Sequence, residues 1–565
     1  MRSGYSLEIK KVIPTYICLA LIVLVGVFVA LPEINRFPAY IHAWSQSDWY
    51  SMAIGFQNNG YDFFHPETLV MNKQFPGGWM VDDGTAVTSV DFPVHVYIVS
   101  LLMRLFGSSA PWVFRVWTLT VSLFGLCCLY LVCERITFSV LKSLMVTFFA
   151  LFSPLYLYYF DSFLPTVPAM SFVFAGVLMY VVYLGSGKSR DWYLTIAFLT
   201  LSALMRTSQA VPLVAVFCSE VLRWILKRRD SVFNSRFLIS LLLSVVAISG
   251  YLMWNAHLRN QYGSLFLNNL KPPRSWTDVC NVFDIIGERW KFRYFSAIQH
   301  WTVVVTMALV ALTLLLKNSL QKRFQDYKPS STVEKYKSLR FDFLLFVLIY
   351  SLGELLFFVA MMRQYRNHDY YFLDSLFVPI ILLFLLIVRC LPAFKGLLRV
   401  LPFVLVVLLC GSMWNAAKHG NLERQKGYDR ARQCALAFED SGEWLDEMGV
   451  SRDAKILTLF AYPQNTPFLE MGRCGYSVMW FGRDMIEASL GFDYDYIIVE
   501  DSIFKRNYSK AEFVLSRLER VAGNGKISLY MLCDSVVNNS PDATLEDRKS
   551  NFISNMNNCR EWKSE

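Results

Sequence analysis

Val12 to Leu31 runs for 20 residues without a charged side chain. Wound as an α-helix it rises about 30 Å, the thickness of a bilayer's hydrocarbon core. Arg2, Lys10 and Lys11 precede it, and it ends in Leu31-Pro-Glu-Ile-Asn-Arg36. A signal peptide has a shorter apolar region, about 7–15 residues, ending in a small-residue cleavage site. The pattern therefore predicts a retained first helix with a cytoplasmic N-terminus.

Further apolar runs follow at Phe92–Phe106, Trp112–Cys133, Val140–Leu157, Pro165–Leu184, Trp192–Met205, Ala210–Ile225, Phe237–Ala256, Phe295–Leu316, Phe343–Met362, Tyr370–Val388 and Val400–Ala417. With the first they make about twelve, and the expected architecture is a polytopic α-helical membrane protein with about 11–13 transmembrane helices. Lys227, Arg228, Arg229 and Arg236 bracket one short loop, and Lys317–Arg340 holds seven Lys/Arg against two acidic residues. Both segments read as cytoplasmic under the positive-inside rule. Residues 35–91, 257–300, 363–369 and the tail then lie on the extracytoplasmic face. Opposite sides for the two termini need an odd number of crossings, so one segment between Phe92 and Ile225 is expected to be re-entrant or split. Irregular backbone at membrane depth survives only where it lines a cavity or is buried in protein.

After Ala417 charged residues become frequent. Residues 1–417 read as the membrane domain, with a long first extracytoplasmic loop over 35–91, and 418–565 as a soluble α/β domain. Ala454–Ala461, Tyr496–Val499 and Lys526–Cys533 predict strands, and Tyr428–Met448 and Ser509–Arg520 predict helices. Gly523-Asn524-Gly525 predicts a turn. Cys434, Cys474, Cys533 and Cys559 leave room for one or two disulfides if this domain lies outside the cytoplasm.

Composition agrees with this layout: 55% of the 565 residues are hydrophobic and 18% charged, against about 45–50% and 25% in soluble domains. Disordered, fibrous and ordinary soluble classes are excluded. A net charge of +9 is ordinary for a chain with basic cytoplasmic loops and argues little for nucleic acid. The 12 Cys include no paired CxxC spacing, so no zinc cluster is expected.

The first loop carries the most chemistry. Asp48, Asp62, Glu67, Asp82, Asp83 and Asp91 fall there with three Trp and Pro76-Gly77-Gly78, and long ordered loops are more often functional than connective. Asp48 stands directly before a helical-looking stretch, Trp49–Asn59. It fits an N-cap, and equally a general base able to take a proton from an acceptor hydroxyl. Asp91, near Pro93, fits a second cap or a second carboxylate converging on the first.

Arg115 and Arg206 sit inside or at the edge of apolar runs. They either snorkel to the interface or face a wet cavity, where a guanidinium can hold phosphate by paired hydrogen bonds. The turn Met362–Tyr371 packs Arg363, Arg366, His368, Asp369 and three Tyr between two strong spans. A phosphate or pyrophosphate ligand would explain arginines on that face; a salt-bridged turn is the simpler alternative. Glu354 is the clearest mid-span acid and is expected to pair with an arginine of the bundle.

Taken together these residues resemble a family. Asp48-x-x-x-x-Ala53 opens the long loop. Phe92-Pro93 begins an apolar helix that ends Phe106-Gly107, Arg115 follows on the next span, and His368-Asp-Tyr-Tyr371 precedes a span containing Pro379. With Tyr462-Pro-Gln-Asn465 and Gly472-Arg-Cys-Gly475 in the tail, the chain resembles the bacterial branch of the GT-C glycosyltransferases. That branch includes family-39 protein O-mannosyltransferases, aminoarabinose transferases acting on lipid A, and related lipopolysaccharide-sugar transferases. The chain has Asp48-Trp49 where members often carry Asp-Glu, and Asp91-Phe-Pro93 where an acid often precedes Pro-Pro. It has no extra soluble module between spans.

The resemblance implies an inverting transferase in the bacterial inner membrane, using a polyprenyl-phosphate sugar. Asp48 would deprotonate the acceptor, with Asp91 as the other catalytic candidate. Arg206, Arg363, Arg366, His368 and Tyr371 would hold the donor phosphate, and Arg115 and Glu354 would shape the cavity. Lipid A, a surface glycan or a protein fits as acceptor; nucleic acid does not. No cofactor is implied beyond the donor, and no carboxylate cage speaks for a divalent metal. The competing readings are a surface-polysaccharide polymerase or ligase using an undecaprenyl-pyrophosphate donor, and a secondary transporter. The former usually places its large loop late in the chain; the latter usually shows internal repeats, and none is visible here.

Overall fold

The computed structural model describes residues 2–72, 84–228, 234–266, 269–321, 331–392, 400–426, 430–479, 482–506, 514 and 517–532. Asp82, Asp83 and Pro76-Gly77-Gly78 lie outside these. The chain folds as two compact units. One holds Met1–Arg36, Asp91–Trp254 and Asn268–Lys426; the other holds Phe37–Val90, Asn255–Leu267 and Gly427–Glu565.

The first unit is a helical bundle. Among the described residues, eight helical stretches are long and apolar enough to cross a membrane: Pro14–Glu33, Pro111–Thr137, Thr166–Ser186, Thr207–Ile225, Ser235–Tyr262, Ala297–Leu315, Leu339–Ala360 and Leu401–Glu423. Val94–Phe106, Val140–Leu151 and Phe377–Arg389 are apolar but shorter. A helix of 13 residues such as Val94–Phe106 rises only about 20 Å, well short of the hydrocarbon core.

Two breaks are local in origin. The run 140–157 splits at Ser153, whose Oγ accepts from Tyr156 N at 3.2 Å and donates to Tyr294 O at 2.7 Å. The following helix, Pro154–Tyr159, starts on a proline, which suits the first turn because its missing N–H has no partner there anyway. The second break is at Arg206, in extended conformation between the helix Ser189–Met205 and the 3-10 turn Thr207–Ala210.

Pro111–Thr137 and Thr166–Ser186 form the centre of the bundle, 67% and 78% buried, whereas Leu401–Glu423 is 11% buried and turns its leucines outward. The central helices approach closely at Gly125, where a Cβ would lie 2.5 Å from Ser171 Cβ; small residues allow such contact between membrane helices. A buried polar network ties three helices together. Tyr180 donates to Glu220 at 3.0 Å, Arg223 reaches Glu220 at 2.6 Å and Asp342 at 3.3 Å, and Arg228 reaches Asp342 at 2.6 Å. Paired in this way, charges are tolerated inside a membrane bundle.

The second unit is built on a five-stranded sheet: β1 (Ile456–Leu459), β2 (Gly475–Val478), β3 (Tyr496–Glu500), β4 (Leu518–Gly523) and β5 (Ile527–Leu532), in the order β2-β1-β3-β5-β4. β1 runs parallel to β2 and β3, and β5 is antiparallel to β3 and β4. β1, β2 and β3 are buried along their whole length, and β1 and β3 are accordingly apolar at nearly every position rather than at alternate ones. Leu457, Leu459, Tyr476, Val478, Ile497, Val499 and Phe504 form the core.

The first loop belongs to this unit. Met71 N donates to Gly475 O at 2.8 Å, Gly475 N to Leu69 O at 3.1 Å, and Ser477 N to Asn72 Oδ1 at 2.7 Å. The loop thus covers the β2 edge. A domain boundary drawn from composition at residue 417 keeps this loop with the helices; the fold groups it with the tail, and the helix Val400–Lys426 runs past that boundary.

Three expected elements differ. The helix expected over Tyr428–Met448 is two, Arg430–Phe438 and Ser441–Glu447, separated at Asp440, which has φ +60. Leu518–Arg520 belongs to β4, not to the end of a helix from Ser509; most of that segment lies outside the described residues. Cys434 and Cys474 are free thiols, and Cys533 and Cys559 lie outside the described residues.

Candidate active site

Asp48 lies inside the helix Ala43–Asn58, not at its start. The capping role is excluded, because a carboxylate six positions into a helix has no orphan N–H groups to accept from. Aromatic contacts seat the helix. Trp44 meets the Tyr462 ring edge-on at 5.0 Å, and Trp49 lies 5.0 Å from Phe266. At Gly55 a Cβ would fall 2.0 Å from Glu67 O, so the loop backbone passes directly over the helix.

Asp48 is 2% exposed. Asn465 Nδ2 donates to its Oδ1 at 2.7 Å, and the Trp44 side chain is its second hydrogen-bond partner. Ser47 and Thr466 share a hydrogen bond at 2.8 Å beside it. Burial pushes the Asp48 carboxyl up to about 8, against the lowering effect of Asn465 and Trp44. A carboxylate titrating near neutrality can both hold and release a proton at working pH, the property a general base requires.

The segment after β1 delivers Asn465. Phe460 adopts φ +67, Tyr462-Pro463 is cis, and the helix Asn465–Met471 follows. A positive φ at a bulky residue is uncommon and marks a constrained turn. Arg430 braces it, donating to Phe460 O at 3.4 Å and lying 5.2 Å over the Tyr462 ring.

In the bundle, three sequence-picked residues come together: Asp91, Arg206 and Tyr371. Arg206 Nη1 meets Asp91 Oδ2 at 3.5 Å, its Nε meets Asp374 Oδ1 at 3.3 Å, and its Nη2 pairs with Asp374 Oδ2. Thr207 donates to Asp91 at 3.0 Å, and Arg206 lies 6.0 Å over Tyr370. Burial raises the Asp91 carboxyl, opposed by Arg206, and burial pushes the Tyr371 phenol up to about 12. Asp91 does not cap the next helix, whose N-cap is Pro93 with no side-chain bond. Arg206 is held between two carboxylates, so its charge is already matched.

The turn supplies the other basic groups. Arg363 N donates to Lys271 O at 3.1 Å, and its Nε is buried without a hydrogen-bond partner among the described residues. Arg366 O accepts from Trp290 Nε1 at 3.4 Å. The His368 ring lies 5.6 Å from Tyr370 and 5.9 Å from Tyr371, and Asp369 accepts from Tyr159 at 2.8 Å.

Arg115 does not snorkel. Its guanidinium is buried, donating to Arg36 O at 3.0 Å and to Asp161 Oδ2 at 3.3 Å. Burial raises the Asp161 carboxyl and Arg115 opposes it. The arginine expected beside Glu354 is not there: both carboxylate oxygens are buried without a hydrogen-bond partner among the described residues. Sequence reasoning missed Asp161, Asp374 and Asn465. A lone acid at the break between two apolar runs was the available signal for Asp161. Asp374 gave none, and Asn465 stood out only as the end of the Tyr462-Pro-Gln-Asn465 motif with no role attached, because their partners are 168 and 417 residues away in the chain. Among the described residues no group of three or more His, Cys, Asp or Glu stands ready to hold a metal.

Residues 90–254 match the model of the dolichyl-phosphate-mannose-protein mannosyltransferase family. Over that segment the chain is similar to this family of membrane glycosyltransferases. The matched segment carries Asp91, Arg115, Asp161 and Arg206. No curated protein sequence matches the chain. Among solved structures, ArnT from Cupriavidus metallidurans bound to undecaprenyl phosphate is similar at 10% identity and TM-score 0.46, covering 92% of this chain and 99% of that one. The oligosaccharyltransferase AglB from Archaeoglobus fulgidus is similar at 12% and 0.45, over 94% and 75%. Arabinofuranosyltransferase AftD from Mycobacteria is similar at 14% and 0.49, over 92% and 40%. The eight long apolar helices among the described residues support a multi-pass membrane protein.

Proposed function

We propose that this glycosyltransferase moves a sugar, with inversion, from a polyprenyl-phosphate donor to a hydroxyl of an acceptor on the extracytoplasmic face of a bacterial inner membrane. The observation that carries the reading is Asp48: a buried carboxylate held by neutral donors, in a chain whose family model is named for a dolichyl-phosphate sugar donor. The acceptor oxygen attacks the anomeric carbon, its proton passes to Asp48, and the bond from that carbon to the phosphate oxygen breaks. Polyprenyl phosphate leaves with the bonding pair.

Charge on the leaving phosphate calls for preorganised donors. Arg363, Arg366, His368 and Tyr371 are the proposed set. Arg206, matched by Asp91 and Asp374, has less to offer an incoming anion and serves better to hold those two carboxylates in place. The acceptor class, whether lipid A, a surface glycan or a protein, is for mass spectrometry of envelope lipids and glycoproteins from a deletion strain to identify.

Asp48→Asn tests the base. It keeps the size of the side chain and removes the proton acceptor, so turnover is expected to fall about 10²–10⁴-fold while the protein still folds. Turnover within a few fold of wild type would remove Asp48 from the mechanism.

A further inference from the structure

Asn465 and Thr466 open the helix Asn465–Met471 and touch consecutive residues of the loop helix, Asp48 and Ser47. All four are buried. Toward the ionised Asp48 the amide of Asn465 can face in one sense only. Its Nδ2 then meets the carboxylate, as the observed hydrogen bond has it, because an amide oxygen turned that way would meet like charge. This leaves Asn465 Oδ1 buried with no hydrogen-bond partner among the described residues. An orphaned buried carbonyl is a cost that folding alone would avoid.

Among the described residues no cation is paired with Asp48. Arg430, on the adjoining helix Arg430–Phe438, is taken up by Tyr462 and Phe460 O, and Arg432 lies 5.3 Å over Tyr40. Glu470, on the helix of Asn465, is itself pushed up to about 8 by burial, and the Cys434 thiol is raised by burial too. Two neutral donors, the Asn465 amide and the Trp44 side chain, are therefore what orients the carboxylate.

We propose that Asn465 is a positioning residue for Asp48: its amide fixes the carboxylate that takes the acceptor's proton, so the α/β tail completes the catalytic apparatus of the first loop. The inference rests on Asp48 being the base. Loss of a buried hydrogen bond to a charged group is expected to lower turnover at pH 7 about 10- to 100-fold in Asn465→Ala. The direction with pH follows from the bond. The amide favours the ionised carboxylate, so without it Asp48 ionises at higher pH and the rising limb of the rate profile moves to the alkaline side. Raising the pH should restore much of the lost rate.

The experiment uses full-length protein in nanodiscs. Infrared difference titration follows the Asp48 carboxyl band, identified by its loss in Asp48→Asn, and needs no substrate. Release of undecaprenyl phosphate from undecaprenyl-phosphate mannose and undecaprenyl-phosphate aminoarabinose, with acceptor-bearing envelope membranes added to take the sugar, gives the rate profile. In Asn465→Ala both the band midpoint and the rising limb should move up; Thr466→Val, which breaks the neighbouring bond to Ser47, should move neither. If Asn465→Ala does not accumulate, Asn465→Ser is titrated in its place, with the same shift expected. An unshifted midpoint in the Asn465 variant overturns the inference even if Asp48→Asn is inactive. A shifted midpoint with a fully active Asp48→Asn sinks the base reading and leaves only the hydrogen bond.

Discussion

At the scale of single residues, Asp48 carries opposing demands. A carboxyl whose value rises from 3.8 to about 8 on folding is neutral in both states at low pH. Between those values the unfolded chain ionises and the folded one does not, so the native state binds more protons and stability falls as pH rises. Above about 8 the loss is complete. Asn titrates in neither state. Asp48→Asn should therefore melt close to wild type near pH 4 and progressively above it toward pH 8, while losing turnover. Melting curves of the purified pair across that range check the sign; a wild-type advantage that grows with pH would contradict it. Active-site groups held against their own solvation typically show this exchange of stability for activity.

At the scale of elements, the edge of the sheet decides where the first loop goes. β2 begins at Gly475, with φ +155, and a Cβ there would fall 2.0 Å from Ile456 O. The same glycine gives and accepts the backbone bonds to Leu69 and Met71. Gly475→Ala should destabilise by well over 1 kcal/mol, since a side chain at an incompatible φ costs more than the entropy it removes. It should also loosen residues 69–72, which hydrogen exchange would detect as faster exchange at Met71. Protection at Met71 equal to wild type would show that the loop is held by other contacts. Gly475 belongs to a Gly-Arg-Cys-Gly segment visible in the sequence, but its steric role depends on a strand 19 residues earlier in the chain.

At the scale of the whole molecule, the basic segments predict an orientation. Lys317–Arg340, with seven Lys/Arg, should stay on the cytoplasmic side, and the Cys-bearing tail should cross. Reporter fusions at Ser330 and Glu565 are expected to give opposite signals; the same signal at both sites would overturn this orientation. Val94–Phe106 and Phe377–Arg389 are 13 residues each, shorter than a full span.

The sequence by itself determined the helices of the bundle, the three central strands of the tail and the chemical character of the first loop. Each rests on local periodicity: continuous apolar runs for spans and buried strands, and an excess of acid and aromatic residues between them. It marked Asp48, Arg206 and Arg115 as unusual because a charge beside apolar residues is costly wherever the chain goes. Only the tertiary structure decided what those charges meet. It put Asp48 inside a helix rather than at its cap, gave Arg206 to Asp91 and Asp374, paired Arg115 with Asp161, and left Glu354 without the arginine expected for it. It also assigned the first loop to the tail. Those pairings join residues tens to hundreds of positions apart, brought together by packing and by open strand edges, and nothing in the local pattern of either partner encodes the other.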